Sequence, residues 1–377
     1  MKNKLFLILI LLFSTLFIFA QENYEDTVLK NEVTILYLLP FHTNEHFENL
    51  STIKNSAEIH QIQQFEMMGF WLGAKMALQE YENSNYKINV IVRDAVTDTN
   101  RLHYILKDSV LMSSVNIIIG PFYGSLFPTA AEYAKNHCIT IVNPFSTRFD
   151  FVENNPNVYK LTPPFLSRPE TVDNHFFLQS ENYNIILWGD SLTSPELLAY
   201  RYYFTENVIP YKEVHTLTVS LSRTRPNLVV ALFDKPERVI HAVHTLMNTE
   251  EQPEFTLIVP EKWLNIYELP EDFYKLQQLY FFTHYFVDEK SEQVKQFQND
   301  YTFYYEAPAE LASFSYQGYD ITKYFIELFF EDFIHENVLI HTFSYQFNWN
   351  KIENGGFENI KTRLIQVKDL ELIEVMR

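Results

Sequence analysis

The chain has 377 residues and a mass of 44.8 kDa, with 47% hydrophobic and 16% aromatic residues. These values exclude a disordered or fibrous protein and favour two domains over one. With 29 Lys and Arg against 48 Asp and Glu, the net charge is −19, which makes nucleic acid and anionic lipid surfaces poor partner candidates.

The first twenty residues have the pattern of a secretory signal peptide. Lys2 and Lys4 precede an apolar stretch over residues 5–20, and a polar sequence begins at Gln21. This stretch is shorter than the roughly 20 residues of a membrane span, so an uncleaved anchor is the less favoured alternative. Gln21 stands where a lipoprotein signal would have Cys. The sequence therefore predicts cleavage after residue 20 and a mature protein that is periplasmic or secreted, without lipid and without stable membrane insertion.

The remaining chain alternates short apolar strands with amphipathic helices, the pattern of parallel sheets covered by helices. Strands are predicted at 33–39, 86–93, 115–119 and 139–142, and helices at 61–81, 98–112 and 125–136. After a proline-rich stretch at 161–164, strands are predicted at 184–188, 214–219, 228–233 and 255–259, and helices at 169–179, 195–206 and 237–247. A strand at 279–285, helices at 291–304 and 311–333, and short strands near 342–349, 364–367 and 370–375 follow. The fold class predicted is α/β.

Motifs for catalysis and phosphate binding are missing from the sequence. The eight Gly residues fit neither a P-loop nor a dinucleotide-binding motif, and no Gly-x-Ser-x-Gly elbow occurs. His241 and His244 have no third metal-ligating residue nearby. Cys138 is the single cysteine, which excludes an intrachain disulfide, and its apolar neighbours predict a buried thiol. We therefore predict a non-enzymatic protein without cofactor or metal.

Six segments, in this order, resemble the type I periplasmic binding proteins, the group of the branched-chain amino-acid receptors. They are Phe65–Leu78, Ile91–Ala95, Ile117–Ser125, Ile139–Thr147, Asn157–Pro163 and Ser315–Asp320, and the resemblance extends from about residue 31 to the C-terminus. It implies two doubly wound parallel-sheet lobes joined by three chain crossings, with a ligand in the cleft and closure by a hinge. It places the first lobe at 31–161 plus 284–338 and the second at 162–283 plus 339–377.

The first-lobe side of the site is predicted where two strands end, because ligands of open parallel sheets bind beyond the carboxyl ends of strands. The hydroxyls of Ser125, Ser146 and Thr147, with local amides, are candidates to bind a carboxylate, as the corresponding family positions do. Tyr123 and Phe145 are candidates for an apolar wall. Helix capping is the alternative role for the hydroxyls, and simple packing is the alternative for Phe145.

The second-lobe side is predicted after the strands at 184–188 and 255–259. The family often uses an acid and an aromatic residue here to hold an amine and to close over the ligand. Asp190 and Glu261 are candidates for the acid, and Trp263 for the aromatic residue. Simple solvation is the alternative for each carboxylate. Phe145 is bulky where small residues are common in the family, which argues against a free amino acid as the ligand.

These features predict a secreted or periplasmic solute-binding protein that captures a small polar or amphipathic ligand, amino-acid-like or peptide-like. Its expected partners are that ligand and a membrane transporter or envelope protein. The alternative is an envelope protein that keeps the two-lobed fold, has lost small-molecule binding and acts through a protein partner. Some members of the family regulate cell-wall synthesis in this way.

Overall fold

The structure, a computed structural model, describes residues 31–42, 63–95, 98–190, 193–248, 253–276, 278–309, 314–330 and 341–375. The predicted signal peptide and its cleavage site lie outside these residues. Within the described ranges, no helix has the length and apolar character needed to cross a membrane.

Two seven-stranded sheets organise the described chain. The strands of the first sheet are β1 Glu32–Leu39, β2 Lys87–Asp94, β3 Ile117–Ile119, β4 Thr140–Asn143, β5 Val158–Lys160, β11 Trp349–Lys351 and β12 Phe357–Asn359. Those of the second are β6 Asn184–Trp188, β7 Lys212–Val214, β8 Asn227–Ala231, β9 Phe255–Val259, β10 Leu279–Thr283, β13 Arg363–Lys368 and β14 Glu371–Glu374. The first sheet has the order β11-β12-β5-β4-β3-β1-β2 and the second the order β14-β13-β10-β9-β8-β6-β7. The β11–β12, β10–β13 and β13–β14 pairs are antiparallel, and the others are parallel.

Helices cover both faces of each sheet. They are α1 Gln63–Gln79, α2 Thr99–Lys107, α3 Ser109–Met112, α4 Phe127–Asn136, α5 Ser167–Phe176, α6 Pro195–Glu206, α7 Pro236–Met247, α8 Glu271–Tyr274, α9 Glu292–Tyr305 and α10 Ser315–Phe330. In the first lobe, α1 and α10 pack on one face of the sheet and α2, α3 and α4 on the other, while α9 packs against α1 and α10. In the second lobe, α7 and α8 cover one face and α5 and α6 the other. Burial on both faces explains why the central strands read as continuous apolar runs.

The contact between α1 and α10 depends on glycine. A Cβ at Gly73 would overlap the backbone carbonyl of Ser315, and a Cβ at Gly318 would overlap the backbone carbonyl of Phe70. The two helices therefore pack backbone against backbone at these points.

The last part of the chain is divided between the lobes differently from the sequence prediction. Residues 339–377 were assigned to the second lobe, but β11 and β12 lie in the first sheet, so the chain crosses after β12. Aromatic packing accounts for the difference. Phe357 stacks on Tyr159 of β5 with 4.5 Å between ring centroids, and Trp349 meets the same ring at 5.1 Å.

Cys138 is also placed differently from its prediction. Its thiol was expected to be buried, but Cys138 lies in the turn between α4 and β4, with φ of 55°, and its side chain is exposed. The next residue, Ile139, is buried, with 4% of its surface exposed, and β4 begins at Thr140.

Candidate functional site at the interlobe cleft

A cavity of about 470 Å³ lies where the second sheet meets the chain crossings. Its walls come from the loops after β8 and β9, the start of α6, and α5. Thr162, Thr283, His284 and Thr362 contribute from the three crossings, and Thr147 contributes from the first lobe. Pockets for small molecules have volumes of about 300–1,000 Å³, so this cavity has the size of a ligand site.

Two ion pairs belong to the cavity wall. The Arg168 guanidinium donates to the Glu196 carboxylate at 2.5 Å, and the Lys262 ammonium contacts the Asp234 carboxylate at 2.7 Å. Arg168 also lies over the ring of Phe165, 4.9 Å from its centroid. Both cations of the wall are therefore matched by acids of the protein itself.

Glu261 and His284 are the titratable groups of the wall with shifted pKa values. Burial raises the pKa of Glu261, although hydrogen bonding to the Thr283 side chain and the nearby Arg168 oppose the shift. Burial, together with Arg168 and Lys160, lowers the pKa of His284 to about 4. His284 is consequently a neutral imidazole at pH 7 and offers a hydrogen bond without a charge.

The short 3₁₀ helix Glu261–Asn265 explains how Glu261 is held at the wall. It follows Pro260, which ends β9 and cannot donate to the sheet. Two residues further on, Trp263 is fully buried and its indole N–H donates to the Phe233 carbonyl at 2.7 Å. Trp263 thus anchors the turn in the core while Glu261 lines the cavity.

A buried carboxylate fixes the segment beside the crossings. Asp320 of α10 is fully buried and accepts hydrogen bonds of 2.5–3.0 Å from the backbone N–H groups of Phe343, Ser344 and Tyr345 and from the Ser344 hydroxyl. Burial raises the pKa of Asp320 to about 6 despite these hydrogen bonds.

Arg363, the first residue of β13, joins three parts of the chain at the same place. Its guanidinium donates to the carbonyls of Phe286 at 2.9 Å and Ser344 at 2.8 Å, and it is paired with Glu374 of β14. The second and third crossings are therefore tied to each other close to the floor of the cavity.

No protein-family model matches the sequence, and the comparison with curated proteins found no match. Solved structures do match. A branched-chain amino acid ABC transporter protein from Rhodospirillum rubrum has a TM-score of 0.63 at 10% identity, covering 91% of this chain and 100% of that one. An ABC transporter substrate-binding protein from Desulfitobacterium hafniense has a TM-score of 0.55 at 12% identity, with 91% and 100% covered. The chain has the type I periplasmic binding protein fold. The predicted fold class and the predicted resemblance are confirmed.

The same fold is found in LpoA, which is not named as a transporter protein. Full-length LpoA from Haemophilus influenzae matches with a TM-score of 0.58 at 14% identity. The match covers 92% of this chain and 59% of LpoA. At these identities the similarities establish the fold alone.

Within the type I binding fold, most first-lobe residues predicted for the site do not line the cavity. Thr147 does. Ser125 is exposed outside it, and the Ser146 hydroxyl accepts a hydrogen bond from the Arg148 N–H at 3.1 Å, a contact within the loop and not a helix cap. Tyr123 contacts the His42 ring nitrogen through its hydroxyl at 3.1 Å.

Phe145 is packed among aromatic rings of the first lobe. Its ring centroid lies 5.2 Å from that of Phe122 and 4.9 Å from that of Phe314. These contacts agree with simple packing, which was the alternative role stated for Phe145. None of these three rings lines the cavity.

The second-lobe candidates are divided. Glu261 lines the cavity, Trp263 lies in the core, and Asp190 is paired with Arg238 at 2.9 Å outside the cavity wall. The Arg238 guanidinium also donates to the His215 carbonyl at 2.8 Å, which fixes the pair on the surface of the lobe.

Sequence reasoning missed Arg168, Thr283 and His284. Crossings had been predicted near 162 and 283, so residues beside these points were available as candidates for the floor of the cleft. Thr283 is the last residue of β10 and His284 follows it, so both carry the same strand-end signal as the residues that were predicted, whereas Arg168 lies in the first turn of α5 and carries no such signal. No metal-binding group of three or more His, Cys, Asp or Glu occurs among the described residues.

Proposed function

We propose that the protein is an extracytoplasmic solute-binding protein that captures a small polar or amphipathic ligand, amino-acid-like or peptide-like, between its lobes. One observation carries the proposal: a cavity of about 470 Å³ is bounded by both lobes and by all three crossings. A ligand that contacts both lobes stabilises the closed state through its higher affinity for that state. A membrane transporter is the expected receiver of the ligand.

A thermal-shift screen of amino acids, dipeptides, aliphatic amines, sugars and cell-wall fragments tests this function. A ligand of the folded state raises the melting temperature as its concentration rises above Kd. Hits are then measured by calorimetry on two variants with matched exposed positions. Thr147→Trp places a bulky side chain at the cavity rim, whereas Ser125→Trp makes the same change outside the cavity.

We expect Thr147→Trp to weaken binding at least about tenfold, which corresponds to about 1.4 kcal/mol, and Ser125→Trp to leave it within about twofold. If the two variants bind the ligand with the same affinity, the binding site does not lie in the cleft.

A second candidate function is supported by two observations. LpoA shares the fold over 92% of this chain, and Tyr123, Ser125, Phe145 and Ser146, which were predicted to bind the ligand from the first lobe, do not line the cavity. On this reading the protein is an envelope protein that acts through a protein partner. Crosslinking in cells that recovers one specific envelope protein, together with a melting temperature that no small molecule changes, would favour this candidate over the first.

A further inference from the structure

Some charged groups of the cavity wall form ion pairs within the protein, and one does not. Of the described residues that line it, Arg168 and Lys262 are the permanent cations, and each already forms an ion pair with an acid of the wall. In the first lobe, Arg148, which follows Thr147 of the wall, is paired with Asp150 at 2.5 Å, and Lys160 is paired with Glu358 at 2.7 Å. A carboxylate entering this cleft would have to compete with a protein carboxylate for each of these cations.

The carboxylate of Glu261, in contrast, is not part of an ion pair with a described residue. Among the described residues, no Lys or Arg lies within ion-pair distance of its carboxylate. Its hydrogen-bonding neighbour is the Thr283 hydroxyl, whose single proton is also directed to the Tyr285 carbonyl at 2.8 Å. A partly buried carboxylate with one shared donor is stabilised by any further donor or positive charge, and the raised pKa of Glu261 agrees with this deficit.

The amide donors expected to hold a carboxylate in the first lobe are also partly occupied. The Ser146 N–H donates to the Asn143 side chain at 2.7 Å, and the Arg148 N–H donates to the Ser146 hydroxyl at 3.1 Å. The loop after β4 therefore uses these donors for its own turn. A ligand carboxylate would have to replace both bonds.

From this distribution of charge we propose that the ligand of the cleft is an amphipathic amine without a carboxylate group, with its ammonium bound by Glu261. The inference rests on the proposed function, because it names the ligand class of the same cavity. His284, neutral at pH 7, accepts or donates a hydrogen bond without repelling the ammonium.

The apolar part of the ligand has a surface to contact. Phe165, Leu232 and Phe282 belong to the wall, and Pro163 and Pro260 extend it. These side chains favour an alkyl or aryl body attached to the amine, since such a body buries apolar area while the ammonium meets Glu261.

Matched pairs of ligands test the proposal on the unaltered protein. In each pair the amine and the amino acid differ by the carboxylate: 3-methylbutylamine and leucine, phenethylamine and phenylalanine, cadaverine and lysine. Calorimetry at pH 7.5 gives Kd for each compound. We expect at least one amine to bind about tenfold or more tightly than its amino acid. Equal or tighter binding of every amino acid would overturn the amine proposal and leave the solute-binding function intact.

A pair of variants tests the role of Glu261 directly. Glu261→Gln removes the charge at the cavity and keeps the size of the side chain, whereas Glu268→Gln removes a charge from an exposed position of the same lobe. We expect Glu261→Gln to weaken amine binding about tenfold or more and Glu268→Gln to change it less than twofold. An equal effect of the two variants would overturn the assignment of Glu261.

Outcomes outside the amine class separate this inference from the proposed function. If neither amines nor amino acids bind but a sugar or peptide does, and Thr147→Trp abolishes that binding, the amine proposal fails and the solute-binding function stands. If no compound of the full screen binds, both fail. If an amine binds but the melting curve of Glu261→Gln shows that this variant is unfolded, the three amine and amino-acid pairs measured on the unaltered protein still decide the ligand class.

Discussion

Glu261 and Trp263 are two residues apart in one short helical turn, yet one lines a cavity and the other is fully buried. The sequence placed both at the end of β9 and nominated both for the ligand. It could locate the turn, because a strand, a proline and a change of polarity mark it. It could not decide which side chain points inward, because in a single turn of 3₁₀ helix this depends on the core that meets it, here Phe233 and Phe273.

His284 leads to a prediction about pH. Its pKa is about 4 in the folded protein and about 6.5 when unfolded, so the unfolded state binds the proton first. Stability supplied by the neutral imidazole is fully present above pH 6.5 and is lost as the pH falls towards 4. Relative to His284→Gln, the wild type should lose up to about 3 kcal/mol of unfolding free energy between pH 7 and pH 4.

Urea unfolding of both proteins at several pH values measures this difference. Asp320 has a raised pKa and acts in the opposite direction, gaining stability as the pH falls through 6, but it is present in both proteins and cancels in the comparison. A difference that is constant with pH would contradict the prediction for His284.

The ion pair of Lys160 and Glu358 gives a second prediction at this scale. Lys160 is fully buried, and its ammonium contacts the Glu358 carboxylate at 2.7 Å and the Thr162 carbonyl at 2.5 Å. Replacing one partner leaves an uncompensated buried charge, so Lys160→Met should cost about 3–5 kcal/mol of unfolding free energy. The double variant Lys160→Met with Glu358→Leu should recover most of that loss, as measured by chemical unfolding. A double variant as unstable as the single one would show that packing, not charge, is responsible.

At the scale of elements, the two glycines between α1 and α10 can be tested with one matched control. Gly73→Ala and Gly318→Ala place a methyl group against a backbone carbonyl of the other helix, whereas Gly124→Ala has its nearest neighbour 4.0 Å away. Overpacking costs about 1–3 kcal/mol or more, so each helix variant should melt at least about 3 °C below the wild type. Gly124→Ala should melt within about 1 °C. Similar melting temperatures for all three variants would mean that the helices can separate at little cost.

Elements with strong local patterns were predictable, and elements that depend on distant partners were not. The helix predicted from residue 98 begins where expected, because the Asp98 side chain accepts a hydrogen bond from the Asn100 N–H at 2.8 Å. The predicted helix 98–112 is divided in the structure because Asp108 caps a second one. β12 has three residues and pairs with β5, about 200 positions earlier in the chain. No local signal marks such a strand, because its partner surface is built by β5 and α10.

At the scale of the whole molecule, the first lobe is assembled from separated segments. Residues 31–161 contain β1 to β5 but not α9, α10, β11 or β12, which cover one face and complete one edge of that sheet. A fragment of residues 31–161 should therefore expose Tyr37 and Phe70 and should be aggregated or molten. Near-UV circular dichroism and NMR dispersion measure this.

The control for the fragment is a single chain that joins 31–161 to 286–359 through a Gly/Ser linker. It supplies the missing helices and strands, and it should unfold cooperatively. A cooperative transition in the short fragment alone would show that the lobe folds without its later segments.

The order in which the sheets receive their strands also has a consequence for synthesis. β5 leaves the ribosome about 200 residues before β12, and at about 5–20 residues per second this interval lasts roughly 10–40 s. During that time the edge of β5 and the ring of Tyr159 have no partner from β12. The second sheet is also incomplete during this time, because β13 and β14 are translated after β12. Both halves of the nascent protein therefore finish folding almost together, when the final strands arrive, and until then they depend on protection from aggregation.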